Sequence, residues 1–150
     1  MGSRLRATED LAAAISYIFK NAEVFEVSTK DYALWGSSAG ARMVGDIALK
    51  GVGSFGGSDL PKPCIIVIAY TGHTIFSENY PPTFIIVSKN DSIVSVSVVD
   101  RRVENLRSAG IEVEYRKYEN GGHGFGLGVG TDAEGWLEYA IQFWESHFSK

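Results

Sequence analysis

Apolar residues recur along this chain at two different spacings, and the changes between them mark out the elements. In ATEDLAAAISYIFKNA, Leu11, Ile15, Ile18 and Phe19 recur at helical spacing behind a candidate N-cap, Thr8, and two acids. That predicts a helix over about residues 9–21. DYALWG predicts a short strand, and SAGARMVGDIALK a second helix that stops near Gly51. GVGSFGGSDLPKP is dense in Gly and Pro and predicts a loop. CIIVIAY and TFIIVS differ in kind: they are unbroken apolar runs, the pattern of strands covered on both faces. SVSVVDRRVENLRSAG predicts a helix with Val98, Val99, Val103 and Leu106 on its buried side and Gly110 as its stop. IEVEYRKY alternates, as an edge strand with one wetter face does. DAEGWLEYAIQFWESHF sets Trp136, Leu137, Ala140, Ile141, Trp144 and Phe148 at helical spacing, a terminal amphipathic helix lying on the sheet.

The predicted order is helix, strand, helix, strand, strand, helix, strand, helix. TGHTIFSENYPP, between the two apolar strands, has no helical pattern. This is α/β architecture: one domain over residues 1–150 with a mostly parallel open sheet of about four strands and flanking helices. A chain of this length can bury about two-thirds of its unfolded surface.

Composition narrows the function classes. With 45% hydrophobic and 21% charged residues and a net charge of −4, the chain has the make-up of a soluble globular protein. Its 14 Lys and Arg are scattered, with Arg101 and Arg102 expected on a solvated helix face, so a nucleic-acid partner is not expected. The single cysteine, Cys64, rules out an intrachain disulfide and a multi-cysteine zinc site, and its place beside an apolar run predicts a small core residue. No apolar run approaches the roughly 18 residues that would span a bilayer. No apolar stretch precedes Glu9 and Asp10, so a signal peptide is not expected and cytoplasmic residence is the default expectation.

The candidate chemistry lies in LWGSSAGARM. Gly36-Ser37-Ser38-Ala39-Gly40 has the Gly-x-Ser-x-Gly pattern between a predicted strand and a predicted helix, where a nucleophile elbow has to be. Glycines are expected at both flanking positions because side chains there would collide with the neighbouring strand or helix. Ser38 would project from the sheet's C-terminal edge, with the Ala39 N–H directed at a developing oxyanion. A serine needs a base, and the base needs an acid, in the order Ser, Asp, His along such folds. Asp91 follows TFIIVSKN and His123 follows IEVEYRKYENGG, both just past strand ends. Ser38 would attack an acyl carbon, His123 would take and return the proton, and Asp91 would orient the imidazole. The plainer readings are a turn serine and a helix-capping Asp91. His123, flanked by Gly121, Gly122 and Gly124, has no packing role to explain it. His73 is the other loop histidine, and His147 falls on the terminal helix at the surface or its boundary. A phosphate-binding turn is disfavoured: the Gly-x-Gly-x-x-Gly spacing and a P-loop lysine are both missing.

WGSSAGARM, DLPKP, AYTGH, PPTFIIVSKND, RRVENLRSAGIEVEYRKY and GGHGFGLGVGTDAEGW together resemble the α/β-hydrolase superfamily, in particular its esterase and acetyl-xylan-esterase-like, lipase-like or dienelactone-hydrolase-like members. The resemblance runs from Thr8 to the end of the chain. It implies a serine carboxylic-ester hydrolase of short acyl esters, with no metal or organic cofactor and with Ser38, Asp91 and His123 on the catalytic positions. Members of that superfamily usually carry about a hundred further N-terminal residues, including a His-Gly-Gly loop that supplies the second oxyanion donor. This sequence has no such loop ahead of the elbow. The resemblance therefore makes it the C-terminal portion of the fold, a truncated domain whose activity is expected to be weak, since one lost donor costs about a hundred- to a thousandfold. A sheet edge or face left open would be closed by a homodimer or higher oligomer. Phe76, Phe125 and Leu127 are expected along the acyl side. The rival reading is a catalytically impaired fragment that serves as a folded binding or structural module.

Overall fold

The computed structural model describes residues 2–149. Four helices, α1 (Gly2–Lys20), α2 (Ala39–Lys50), α3 (Val96–Ser108) and α4 (Trp136–Glu145), accompany four strands, β1 (Ala33–Ser37), β2 (Ile65–Ala69), β3 (Thr83–Ser88) and β4 (Val113–Tyr118). All the strands run parallel, in the order β1-β2-β3-β4. Parallel neighbours require a crossover, and the one between β2 and β3 is made by residues 70–82 without a helix.

The two unbroken apolar runs occupy the middle of the sheet, where both faces are covered. Ile65, Val67 and Ala69 of β2, with Phe84 and Ile86 of β3, point to one side and meet Trp136, Ala140 and Phe143 of α4. Ile66, Ile68, Ile85 and Val87 point to the other side, against Ala41, Val44 and Ala48 of α2 and Val99, Val103 and Leu106 of α3. A strand alternates its side chains, so a layer on each face demands apolar residues at successive positions. A third cluster, Ala12, Ile15, Ile47, Val52 and Phe55, seats α1 on α2. Edge strand β4 is half-buried along most of its length, as its mixed sequence predicts.

Several local expectations are corrected. Thr8 is no N-cap: α1 begins upstream at Gly2, because Leu5, Arg6 and Ala7 are good helix formers, and Thr8 is buried inside the helix. Ile18 is exposed, and the seam of α1 runs through Ala12 and Ile15. The Gly-rich loop after α2 contains one 3-10 turn, Val52–Phe55. Val98 is 37% exposed, while Arg102, expected in solvent, is 1% exposed. Helix α3 turns Arg102 inward, where its guanidinium donates to the His73 carbonyl and to Tyr80 Oη, tying both ends of the β2–β3 connection to α3. On α4 the buried stripe is Trp136, Ala140 and Phe143, an i, i+4, i+7 pattern that leaves Ile141 exposed, and Phe148, expected on the same helix, lies exposed beyond its end at Glu145. Cys64 sits just before β2, half-buried, with Sγ donating to the Asp31 carbonyl at 3.1 Å. Burial pushes its thiol up.

Candidate active site

Strand β1 ends at Ser37, and the chain turns sharply into α2 through Ser38, whose backbone takes φ 49° and ψ −115°. A serine with positive φ is strained, and the turn is held in place from outside: the Ser38 N–H donates to the Ala69 carbonyl at the end of β2, 2.9 Å away. Gly36 is required by close approach, since a Cβ there would stand 2.6 Å from the carbonyl carbon and oxygen of Gly40. The matching expectation for Gly40 is corrected. Its Cβ would meet nothing within 4 Å, because the pair needs only one member without a side chain. Gly36→Ala is expected to cost about 1–3 kcal/mol by overpacking backbone against backbone, read as a lower denaturation midpoint. Gly40→Ala, into open space, serves as the control.

Ser38, Asp91 and His123, far apart in sequence, come together at the C-terminal ends of β1, β3 and β4. Ser38 Oγ lies 2.9 Å from His123 Nε2. On the other side of the ring, His123 Nδ1 lies 2.9 Å from Asp91 Oδ2 and 3.1 Å from Oδ1. A carboxylate can only accept, so the proton of the neutral ring sits on Nδ1 and Nε2 is left to accept from the Ser38 hydroxyl. Asp91 Oδ1 also accepts from the N–H groups of Ile93 and Val94, each at 2.8 Å. Burial alone would raise this carboxyl, but the two backbone donors and the imidazole hold it below the usual carboxylate range. The Asp91 side chain is fully shielded from solvent, whereas that of His123 is 19% exposed.

The loop carrying His123 is fixed by two side chains that the sequence pattern did not single out. Asn90 Oδ1 accepts from the Gly122 N–H at 2.7 Å and from the Ser88 hydroxyl at 2.6 Å, joining the ends of β3 and β4 directly before the imidazole. Asp132 accepts from the N–H groups of Glu119 and Asn120, at 2.6 and 2.9 Å. Gly122 and Gly124, with φ of 67° and 74°, provide the left-handed turns that aim His123 at Ser38. The donors on Asp132 hold its carboxyl below the usual range. A depressed acid contributes stability above its unfolded-state pKa and loses it as the pH falls through the folded value. Asp132→Ala is therefore expected to lower the melting temperature at neutral pH, and the gap to the parent protein should close as the pH drops below about 4.

Tyr70, at the end of β2, is a second strained residue, with φ 38°. Its N–H donates to the Ile86 carbonyl, and its buried ring packs edge-on against His123 and Phe125, with centroids 5.2 and 5.0 Å apart. A positive φ at a non-glycine residue next to the elbow is a signal no side-chain pattern carries.

An open cleft of about 720 Å³ contains Ser38, Ala39 and His123. Its walls come from α2 (Arg42, Met43), the chain after β2 (Tyr70, Thr71, Gly72) and the start of α3 (Val94, Ser95, Val98). Ala39 opens α2, and its N–H has no intrahelical acceptor, as for any first-turn amide. Phe76, Phe125 and Leu127 do not line this cleft. Phe76 packs on Tyr80, Phe125 lies between Tyr70 and Tyr118, and Leu127 lines a separate groove with Trp35, Ser37 and Trp136. Phe125 and Leu127 each follow a glycine in the left-handed region, Gly124 and Gly126. His73 is buried beside Gly45, with Nε2 3.8 Å from Asp46, and plays no part in this hydrogen-bonded set. His147 is a boundary residue, as expected, bonded to the Phe143 carbonyl and Glu112. Among the described residues, no group of three His, Cys, Asp or Glu side chains could hold a metal ion, and no helix is long and apolar enough to cross a membrane.

Solved structures share this arrangement of elements. The chain superposes on an α/β-hydrolase enzyme from a Medee basin deep-sea metagenome library with a TM-score of 0.75 and 23% identity, covering 95% of this chain and 64% of that one. The carboxylesterase Cest-2923 of Lactobacillus plantarum gives 0.75 at 17% identity, over 96% of this chain and 69% of that one. An acetyl ester-xyloside bifunctional hydrolase from Caldicellulosiruptor lactoaceticus gives 0.74 at 19%, over 95% and 65%. The fold is that of part of an α/β-hydrolase, and the chain spans about two-thirds of the length of these relatives. No curated protein sequence matches it. The sequence profile of the prolyl oligopeptidase family matches residues 67–150, a stretch that includes Asp91 and His123 and begins after Ser38. That match extends over more than half of the chain, which therefore belongs to the prolyl oligopeptidase family within the α/β-hydrolases.

Proposed function

We propose that this protein is a serine hydrolase of carboxylic esters with short acyl groups, working through Ser38, His123 and Asp91. The observation that carries the reading is the continuous hydrogen-bonded line from Ser38 Oγ through the imidazole to a shielded carboxylate, opening on a cleft. As the Ser38 oxygen bonds to the acyl carbon, its proton passes to His123 Nε2, and the resulting imidazolium is stabilised by Asp91. The carbonyl oxygen becomes an oxyanion facing the Ala39 N–H at the positive end of α2. Collapse of the tetrahedral intermediate breaks the bond to the leaving alcohol, which takes the proton from His123. Water then repeats the sequence on the acyl-enzyme, releasing the acid and restoring Ser38.

The carboxylesterase and acetyl-ester hydrolase named among the structural relatives support an ester as substrate. Membership of a peptidase family favours a second reading, cleavage of a peptide bond by the same residues. Parallel assays on 4-nitrophenyl acetate and on a peptidyl 4-nitroanilide separate the two. Fluorophosphonate labelling followed by intact mass and peptide mapping tests the shared chemistry: a single adduct on Ser38 is expected, and no adduct, or one on another serine, would overturn it. Self-association as a homodimer or higher oligomer, through the outer edge of β1 or an open sheet face, belongs to the same proposal. A monodisperse monomer in light scattering at micromolar concentration would exclude it.

A further inference from the structure

We propose that the cleft selects esters that carry a carboxylate, with Arg42 as the residue that binds it; the inference rests on the hydrolase reading above for its chemistry. Among the described residues that line the cleft, Arg42 is the only one with a permanent charge. Among the described residues that line the cleft none is Asp or Glu, and Asp91, behind His123, is shielded from solvent and occupied by the imidazole and two backbone N–H groups. Among the described residues, no Asp or Glu lies within ion-pair distance of Arg42, whose side chain is exposed. Its position is also unfavourable for the helix. Arg42 stands in the first turn of α2, one turn beyond Ser38, where the macrodipole opposes a cation, and that turn contains no acid. A local rule broken without a local compensation points to a gain made elsewhere, here with a ligand.

The remaining wall fits the body of such a substrate. Met43, Ile93, Val94 and Val98 present apolar surface, with Ile93 73% exposed at the rim, while Thr71 and Ser95 add hydroxyls. A guanidinium offers a planar fork of donors that matches a carboxylate in two parallel hydrogen bonds, so the class indicated is an ester with an apolar spacer ending in a carboxylate.

Two matched pairs of esters test this: 4-nitrophenyl hydrogen adipate against its methyl ester, and 4-acetoxybenzoate against methyl 4-acetoxybenzoate. They place the charge on the acyl and the leaving-group side respectively. The parent protein is expected to favour the anion by about tenfold in kcat/KM in at least one pair, through a charge-assisted bond in a partly open site. In Arg42→Gln that ratio should fall to near one, in Arg42→Lys it should keep an intermediate value, and in the parent protein it should shrink with added salt. No preference in either pair, or one that survives Arg42→Gln in a variant that melts like the parent, would overturn the inference. If none of the four esters turns over, the hydrolase reading fails, and calorimetry with monomethyl adipate on Ser38→Ala decides the inference alone. Binding lost on adding Arg42→Gln would support it, and no binding, or binding that the change leaves intact, would overturn it.

Discussion

Ser38→Ala is expected to lower kcat/KM for 4-nitrophenyl acetate by on the order of 10⁴- to 10⁶-fold and to abolish fluorophosphonate labelling, because it removes the hydroxyl that forms the acyl-enzyme in the proposed mechanism. The fold should not change. Ser38 makes no side-chain cap to α2, and its backbone bond to Ala69 is independent of the side chain. Alanine also keeps the Ala39 N–H in place, so any residual rate would report that donor and substrate binding. Ser37→Ala provides the control, since Ser37 lines the groove on the far side of β1 and not the cleft. Equal rates for the parent protein and Ser38→Ala would sink the proposed chemistry.

The second large effect is expected from Asp91→Asn, a loss of about 10⁴-fold in kcat at neutral pH. The substitution separates two jobs done by one carboxylate. Oδ1 accepts from Ile93 and Val94 and so shapes the entry to α3, a role that an amide oxygen can keep. The contact with His123 Nδ1 inverts when an amide N–H replaces an acceptor: the ring is then held with its proton on Nε2, facing Ser38, and cannot take the serine proton. Circular dichroism and melting close to those of the parent protein, together with lost turnover, is the expected pattern. A stable Asp91→Asn variant that keeps full activity would remove Asp91 from the mechanism.

Some of the site was legible in the chain because its chemistry is local. The elbow needs a glycine two residues before the serine and a strand-to-helix junction, and both are written in LWGSSAGARM. Asp91 and His123 stand directly after apolar or alternating runs that predict strands, and a parallel sheet brings successive strand ends to one rim. Other parts could not be seen this way. Asn90 and Asp132 act on backbone N–H groups of other segments, and a side chain's acceptor role has no periodicity. Tyr70 matters through a backbone angle. Arg102 looks like one of a solvated pair, but helix phase and the absence of a helix between β2 and β3 leave it buried as a tie between α3 and that connection.

The cleft wall shows the same division. Phe76, Phe125 and Leu127 were expected along the acyl side, yet Phe76 packs on Tyr80, Phe125 lies between Tyr70 and Tyr118, and Leu127 lines a separate groove. Arg42, in turn, was hidden in a predicted helix and reaches the cleft only because α2 starts at the elbow itself.

By itself the sequence determined the order and type of the elements, the two-sided burial of β2 and β3, and the three residues that converge at the rim. Burial of alternate faces and the geometry of a tight turn are imposed over a few neighbouring residues, so a linear pattern records them. Tertiary structure alone decided which residues form the cleft, which acceptors hold the His123 loop and which charge was buried. Each of these depends on how distant segments meet, and the free energy of such a meeting is shared among residues that the chain keeps far apart.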